Sequence, residues 1–163
     1  VCASQSDPLY PRYYEWTERT PEDARGFVNR QIDNQRRQPR TQYQLAITLR
    51  ETGEFIGNCG VRLTAAGSHE ADMGYELSPA QWGRGYATEA GRAILNFGFG
   101  QLGVHRVWAH AIADNAGSAN VLTKLGMRLE GRLRDKEFFK GRYWDMLIYA
   151  ILEPEWRARQ GKE

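Results

Sequence analysis

Apolar and polar positions along the chain follow two periods, and their alternation predicts the elements. Thr20-Pro21-Glu22-Asp23 has the form of a helix start, with a capping Thr, Pro in the first turn and acids behind it. Phe27, Val28 and Ile32 continue at about helical spacing, and Pro39 bars the helix from going further. Residues 43–49 then alternate and are rich in strand formers. Glu51-Thr52-Gly53-Glu54 reads as a turn into a second strand, Phe55–Leu63, whose Gly57 and Gly60 mark a bulge or a close neighbour. After a turn at Ala66-Gly67-Ser68 comes a third strand, Glu70–Leu77.

The period changes again at 86–102, a helix with Ala90, Ile94, Leu95 and Phe99 near one face. Gly91 and Gly98 within it predict tight packing on a sheet. Residues 105–113 form a fourth strand, and 117–125 a short helix closed by Gly126. Arg128–Phe139 and Arg142–Leu152 flank Lys140-Gly141 as a final hairpin. The order is helix, three antiparallel strands, helix, strand, helix, two strands. That is an α/β domain on a mixed sheet, without repeats or an interdomain linker. One domain is expected over 1–163, with 1–9 poorly structured and 154–163 a C-terminal tail.

Composition narrows the function classes. At 163 residues with 41% hydrophobic and 26% charged residues, the chain is long and apolar enough for a real core. A net charge of only +2 argues against a nucleic-acid surface. No apolar run is long enough to span a membrane, and no secretory pattern is visible. Cys2 and Cys59 suit neither a disulfide framework nor a zinc site, and Cys59 reads as a reduced core thiol. A cytoplasmic protein without a metal is expected.

The run from Gly74 to Ala90 carries the chemistry. It reads as a strand broken at Pro79, a turn with Gly83 and Gly85, and a helix starting at Tyr86. A helix start behind such a turn leaves backbone N–H groups free and points its positive dipole end outward, which suits a phosphate or pyrophosphate.

With Gly74-Tyr75-Glu76-Leu77, Trp82-Gly83-Arg84-Gly85-Tyr86-Ala87-Thr88-Glu89, Asn115-Ala116-Gly117-Ser118, Lys124-Leu125-Gly126-Met127 and Gly141-Arg142-Tyr143-Trp144-Asp145 in this order, the chain resembles the GNAT N-acetyltransferase superfamily. Within it the chain is most similar to the RimJ/RimL-like group of ribosomal-protein N-terminal acetyltransferases, over about residues 10 to 152. The resemblance implies a mixed, mostly antiparallel sheet that splays between the family's fourth and fifth strands, flanked by helices. It also implies acetyl-CoA as cosubstrate. The pyrophosphate would lie over the backbone from Trp82 through Gly83, Arg84, Gly85, Tyr86 and Ala87 to Thr88, with Gln81 also among the cofactor-binding residues. Leu77 would pair with the pantetheine arm, Asn115 would hold a pantetheine amide, and Lys124 completes the cofactor set. Trp82 stands where the wider superfamily has Arg or Gln, as is usual in the RimJ/RimL-like group. The family's first strand and helix, ahead of the segment resembling Tyr10 to Trp16, are not found in this sequence, so the sheet is expected to lack its first strand, whether that element is absent or disordered.

Acetyl transfer to an amine needs a base, a stabilised thioester oxygen and a proton for the leaving thiolate. The superfamily's usual proton-donating Tyr falls at Leu122, which has no proton to give. Ser118, one helical turn earlier, is the expected donor or sulfur ligand, since the group carries a Ser near the sulfur at this place. The alternative is a helix-start Ser that caps backbone N–H groups. Glu137 is the first expected base, by its match to the ribosomal acetyltransferases, and Glu76 the second, beside Leu77. For either, a solvated or ion-paired strand residue is the competing reading. His110 is a third candidate, with a structural role as its alternative. Trp108, Phe138, Tyr143 and Trp144 are candidates for an acceptor pocket or for core. Asp145 reads either as an acceptor-side charge or as a structural acceptor. Arg134, Lys136, Lys140 and Arg142 make the last hairpin basic, which is either a solvated turn or a preference for an acidic acceptor.

The resulting expectation is direct acetyl transfer to a primary amine, a protein N-terminus or a small amine, in a ternary complex. The alternatives are an acyl-CoA-binding regulatory domain with little catalysis, or transfer of another acyl group such as succinyl. Relatives commonly dimerise, so a homodimer is a candidate state.

Overall fold

The structure, a computed structural model, describes residues 9–161. Cys2 and most of the 1–9 segment lie outside these residues. A six-stranded mixed sheet has the order β1-β2-β3-β4-β6-β5. Its strands are β1 (Gln42–Thr48), β2 (Phe55–Leu63), β3 (Glu70–Leu77), β4 (Arg106–Ile112), β5 (Arg128–Phe139) and β6 (Arg142–Leu152). Four α-helices accompany it: α1 (Pro21–Arg36), α2 (Tyr86–Gly100), α3 (Ala116–Lys124) and α4 (Glu153–Gln160). A short 3-10 turn, Tyr10–Tyr13, precedes α1. Among the described residues no strand precedes β1.

Local chemistry explains the boundaries. At the start of α1, Thr20 Oγ1 accepts from Asp23 N at 3.2 Å, while Asp23 Oδ2 accepts from Thr20 N at 2.9 Å. This reciprocal pair satisfies two otherwise orphaned donors, with Pro21 opening the helix. Those Thr20 groups also hold the Asp23 carboxyl below its usual pKa. Lys140 and Gly141 both have positive φ, at 53° and 73°, as a two-residue type I′ hairpin turn requires.

The core lies between one sheet face and helices α2 to α4. Ala71 and Met73 of β3, and Val107, Ala109 and Ala111 of β4, pack with Ile94, Leu95 and Leu122. Glycines in β2 permit close strands: a Cβ on Gly57 would collide with the Glu76 carbonyl, and one on Gly60 with Tyr43 and Gln44. The two helical glycines differ from expectation. Gly91 gives room to Leu125 just after α3, where an added Cβ would stand 2.6 Å from Cδ1. At Gly98 the nearest sheet atom, on Val107, would be at an ordinary 3.6 Å.

The segment read as a C-terminal tail is corrected by α4. Trp156, 5% exposed, stacks on Phe99 and donates its indole N–H to Asn96 Oδ1 at 3.0 Å. One buried aromatic anchors an otherwise polar helix.

Candidate active site

β3 and β4 are parallel but pair only through Glu70, Ala71 and Asp72 with Arg106, Val107 and Trp108. Beyond Asp72 they separate, so the expected splay lies between β3 and β4 here. On its other side β3 stays paired with β2 as far as Leu77, opposite Gly57. Ser78 N donates to Ile56 O at 2.8 Å, toward β2. Strand alternation therefore turns the amide of Leu77 the other way, into the open edge. This is the strand edge that the sequence reading assigned to a peptide-like ligand arm.

The Trp82 side chain closes the loop onto that edge. Its indole N–H donates to Leu77 O at 2.9 Å, leaving the Leu77 N–H directed at the gap. Nothing in the sequence order signalled this clamp, because it depends on how the 3-10 turn Pro79–Gln81 folds back. That turn also corrects the expected anion cradle. Gln81 N donates to Ser78 O at 2.9 Å and Trp82 N to Pro79 O at 3.1 Å, so neither amide is free. From Gly83 through Arg84, Gly85, Tyr86 and Ala87 to Thr88 the amides have no hydrogen-bond partner among the described residues. The first helical bond of α2 runs from Glu89 N to Gly85 O at 3.0 Å.

Gly83 and Gly85 have φ of 76° and 88°, the left-handed region that side-chain-bearing residues avoid. A Cβ at either would meet nothing within 4 Å, so the space above the loop is open. Six free amides at an uncapped helix N-terminus, under open space, fit a phosphate group. Lys124 precedes Leu125, whose contact with Gly91 brings that end of α3 beside the second turn of α2.

Asn115 caps α3: its Oδ1 accepts from Ser118 N at 3.1 Å, and its Nδ2 stays available as a donor. Asn115, not Ser118, is thus the helix cap. The Ser118 hydroxyl faces Tyr75, 3.0 Å from the phenol oxygen, and Tyr75 also donates to Ser118 O at 3.1 Å. Burial pushes the Tyr75 phenol up to about 12, against a smaller opposing pull from its bond to Ser118. Tyr75 was missed from the sequence as a functional residue. Leu122, at the place of the superfamily Tyr, is 1% exposed and belongs to the core.

The carboxylates lie on the opposite face. Alternation puts Tyr75 on the helix side of β3 and Glu76 on the other. Tyr10 Oη donates to Glu76 Oε2 at 2.7 Å, and Asn58 Nδ2 donates to the same oxygen at 3.3 Å. Gln44 Nε2 in turn donates to Asn58 Oδ1 at 2.5 Å. Tyr14 lies beside this carboxylate; burial first, then the Glu76 charge, holds its phenol protonated well above the usual range. Glu137, opposite Trp144 in the β5–β6 ladder, is half-buried and lies 3.4 Å from Lys136 Nζ. His110 is on this face too, with crowding by surrounding atoms and then the Arg62 charge lowering its pKa. No hydrogen bond joins Glu76, Glu137 and His110 among the described residues. The splay is thus the passage between Ser118 on the helix side and the carboxylates on the other.

Asp145 is structural: it accepts from Asp135 N at 2.9 Å and from Arg132 Nε at 2.6 Å, and both hold its pKa down. It supports the irregular stretch of β5 between Leu133 and Glu137. Phe138 and Tyr143 contact each other with their rings tilted at 56° and 4.8 Å apart, on the side of the hairpin away from Trp144, both largely exposed. They do not line a pocket with Trp144.

Comparison with known proteins matches this architecture. The acetyltransferase (GNAT) domain family matches residues 1–128. An uncharacterized N-acetyltransferase p20 of Bacillus licheniformis is 32% identical over 157 residues, 96% of this chain and 87% of that protein. The ribosomal protein uS5-alanine N-acetyltransferase of Escherichia coli is 28% identical over 104 residues, 63% of this chain and 54% of its own length. A GNAT-family acetyltransferase of Bacillus anthracis superposes with a TM-score of 0.80 at 29% identity, covering 94% of this chain and 87% of its own. No helix among the described residues is long and apolar enough to cross a membrane. With the family match spanning well over half of its length, the chain belongs to the GNAT family and is an acetyltransferase.

Proposed function

We propose that the chain moves an acetyl group from acetyl-CoA directly to a primary amine, in a ternary complex entered from both faces of the splayed sheet. The observation that carries this reading is the Leu77 amide at an unpaired strand edge, a few residues ahead of the free amides of Gly83 to Thr88. The loop amides suit the pyrophosphate, and the β3 edge suits the peptide-like pantetheine arm as an added strand. Asn115 Nδ2 is free to donate to a pantetheine carbonyl.

The same frame supplies the chemistry. Leu77 N–H would donate to the thioester oxygen as it becomes negative. The amine nitrogen forms its bond to the carbonyl carbon, and the carbon–sulfur bond breaks. Glu76 would take the proton that the amine loses, directly or through a water. It is preferred to Glu137 because Tyr10 and Asn58 fix it next to Leu77, whereas Glu137 lies out on β5 with Lys136 beside it. Ser118 would donate a hydrogen bond to the sulfur as it leaves, with Tyr75 beside it, and the thiolate takes its proton from solvent. Acetyl-CoA as donor and a buried Cys59 without a disulfide fit a cytoplasmic place of work.

The test is release of free CoA thiol from acetyl-CoA with Ala-, Ser- and Asp-starting peptides and small amines, alongside calorimetric titration with CoA. Turnover with any amine together with CoA binding is the expected result. CoA binding with no turnover on any acceptor would favour a binding module, and no CoA binding would overturn the reading.

A further inference from the structure

A cavity of about 590 Å³ is lined by Arg12, Tyr13, Asp114, Arg142 and Trp144. Three distant segments build it: the 3-10 turn near the N-terminus, the loop from β4 into α3, and the start of β6. Tyr13 Oη donates to Asp114 O at 2.9 Å, and the Tyr13 ring stands edge-on to Trp144 at 6.0 Å. Lys140 Nζ holds the turn in place by donating to Pro11 O.

The cavity adjoins the proposed chemistry. β3 and β4 run parallel, so their C-terminal ends open the same end of the splay. Leu77 ends β3, and Asp114 follows the end of β4, directly before Asn115 and one turn ahead of Ser118. Trp144 faces Glu137 across the hairpin ladder, on the carboxylate side of the sheet.

Its charge is positive. Arg142 Nη2 lies 2.5 Å from Asp114 Oδ2, with the guanidinium carbon 3.4 Å from the Trp144 ring centre. The stack fixes the guanidinium, while the ion pair is about half exposed on both sides and therefore weak and exchangeable. Arg12 lies over the Tyr13 ring at 5.3 Å and has no carboxylate within ion-pair distance among the described residues. Two guanidinium groups thus face one carboxylate. A protonated polyamine would meet net repulsion here, whereas a carboxylate would find planar donors that match it.

We infer that the acceptor is a primary amine bearing a carboxylate close to the amine, held by Arg12 and Arg142 at the mouth of the splay. An acidic amino acid and a peptide beginning with an acidic residue share this chemistry. The inference rests on the acetyltransfer reading.

The experiment titrates free aspartate, an Asp-starting peptide, its Ala-starting counterpart and spermidine into the CoA-loaded protein, and measures thiol release with each. Binding of CoA alone reports on the acetyltransfer reading separately. A charge-assisted contact should favour the Asp-starting peptide over the Ala-starting one by roughly tenfold in affinity and in kcat/KM. Added salt should shrink that ratio. Arg12→Gln and Arg142→Gln should each pull the ratio toward one while CoA binds with wild-type affinity. Free aspartate matching the Asp-starting peptide would assign a small acceptor, and a clear peptide advantage would assign a protein N-terminus; both agree with the inference. Equal affinity for the two peptides, tighter binding of spermidine, or an unchanged ratio in both Arg variants overturns it.

Discussion

The Tyr75 phenol oxygen lies 3.0 Å from the Ser118 hydroxyl and 3.1 Å from the Ser118 carbonyl oxygen, so β3 and α3 meet through one residue pair. The carbonyl can only accept, so Tyr75 donates to it, and the Ser118 hydroxyl is left to donate either to Tyr75 or into the splay. With its pKa pushed up to about 12, the phenol stays protonated at neutral pH and orients Ser118 rather than replacing it as donor to the sulfur. Tyr75→Phe keeps the ring and removes this restraint. We expect kcat to fall by about tenfold, roughly the worth of one oriented hydrogen bond, with CoA affinity unchanged. In a Ser118→Ala background the same change should cost much less, because the two act as a unit. Steady-state kinetics on the two single variants and the double variant measure this coupling.

Gly85 is the N-cap of α2 and sits at φ 88° with open space around it. Gly85→Ala should cost about 1–2 kcal/mol of stability through backbone strain. For a domain of this size that lowers Tm by roughly 2–8 °C. The larger effect should be on the ligand, since any side chain rises into the space over the free amides. Calorimetry should find CoA binding at least about tenfold weaker, the loss of one or two charge-assisted hydrogen bonds.

Much of this loop was legible in the sequence because glycine is the residue that tolerates positive φ, and a turn followed by a helix leaves amides free. Local pattern also gave the strands, whose alternation is set by burial on one face. Contacts between distant segments were not legible. Tyr10 reaches Glu76 across 66 positions, and Tyr75 reaches Ser118 across 43. The 86–102 helix carried a clear apolar face, but α1 buries only Ala24, and Val28 and Ile32 each remain 39% exposed. α4 was overlooked because one aromatic makes no period. Its charges were nonetheless ordered as a helix prefers, with Glu153 and Glu155 in the first turn and Arg157 and Arg159 in the last.

The choice between the two glutamates is open to a direct kinetic comparison. Glu76→Gln keeps the shape of the side chain and removes the base. We expect kcat to fall by about a hundredfold or more, the usual worth of a positioned base. Glu137→Gln should change kcat by less than about threefold, as for a partly solvated charge away from the reacting atoms. The reverse order of effects would transfer the role to Glu137.

Trp156 ties α4 to α2 through Phe99 and Asn96. Trp156→Ala would leave a cavity in the core and an unpaired Asn96, at a cost of about 3–5 kcal/mol. Thermal unfolding should show Tm lowered by roughly 10 °C. Because Trp156 packs on Phe99 and Asn96, toward the opposite end of α2 from its Gly85 start, protein that remains folded should keep its CoA affinity. A truncation ending before α4 should be less stable still. If removing Trp156 left Tm unchanged, α4 would not be docked as described.

Stability should also depend on pH through His110. Its pKa is lowered in the fold by crowding and by Arg62, while Asp72 and Glu137 pull the other way with smaller effect. Above the ordinary histidine value of about 6.5 both folded and unfolded chains carry it neutral, and it adds no pH dependence. Below that value the unfolded chain takes up a proton first, so stability falls as pH drops through the window between 6.5 and the lower folded value. Once pH is below the folded value, the loss is complete and constant. His110→Gln removes the titrating group, so its stability should decline less steeply than wild type across this window. Denaturant unfolding at several pH values between 7.5 and 5 measures the difference in slope. Parallel slopes for the two proteins would mean that His110 titrates in the fold as it does in the open chain, and that Asp72 and Glu137 offset the crowding and the Arg62 charge.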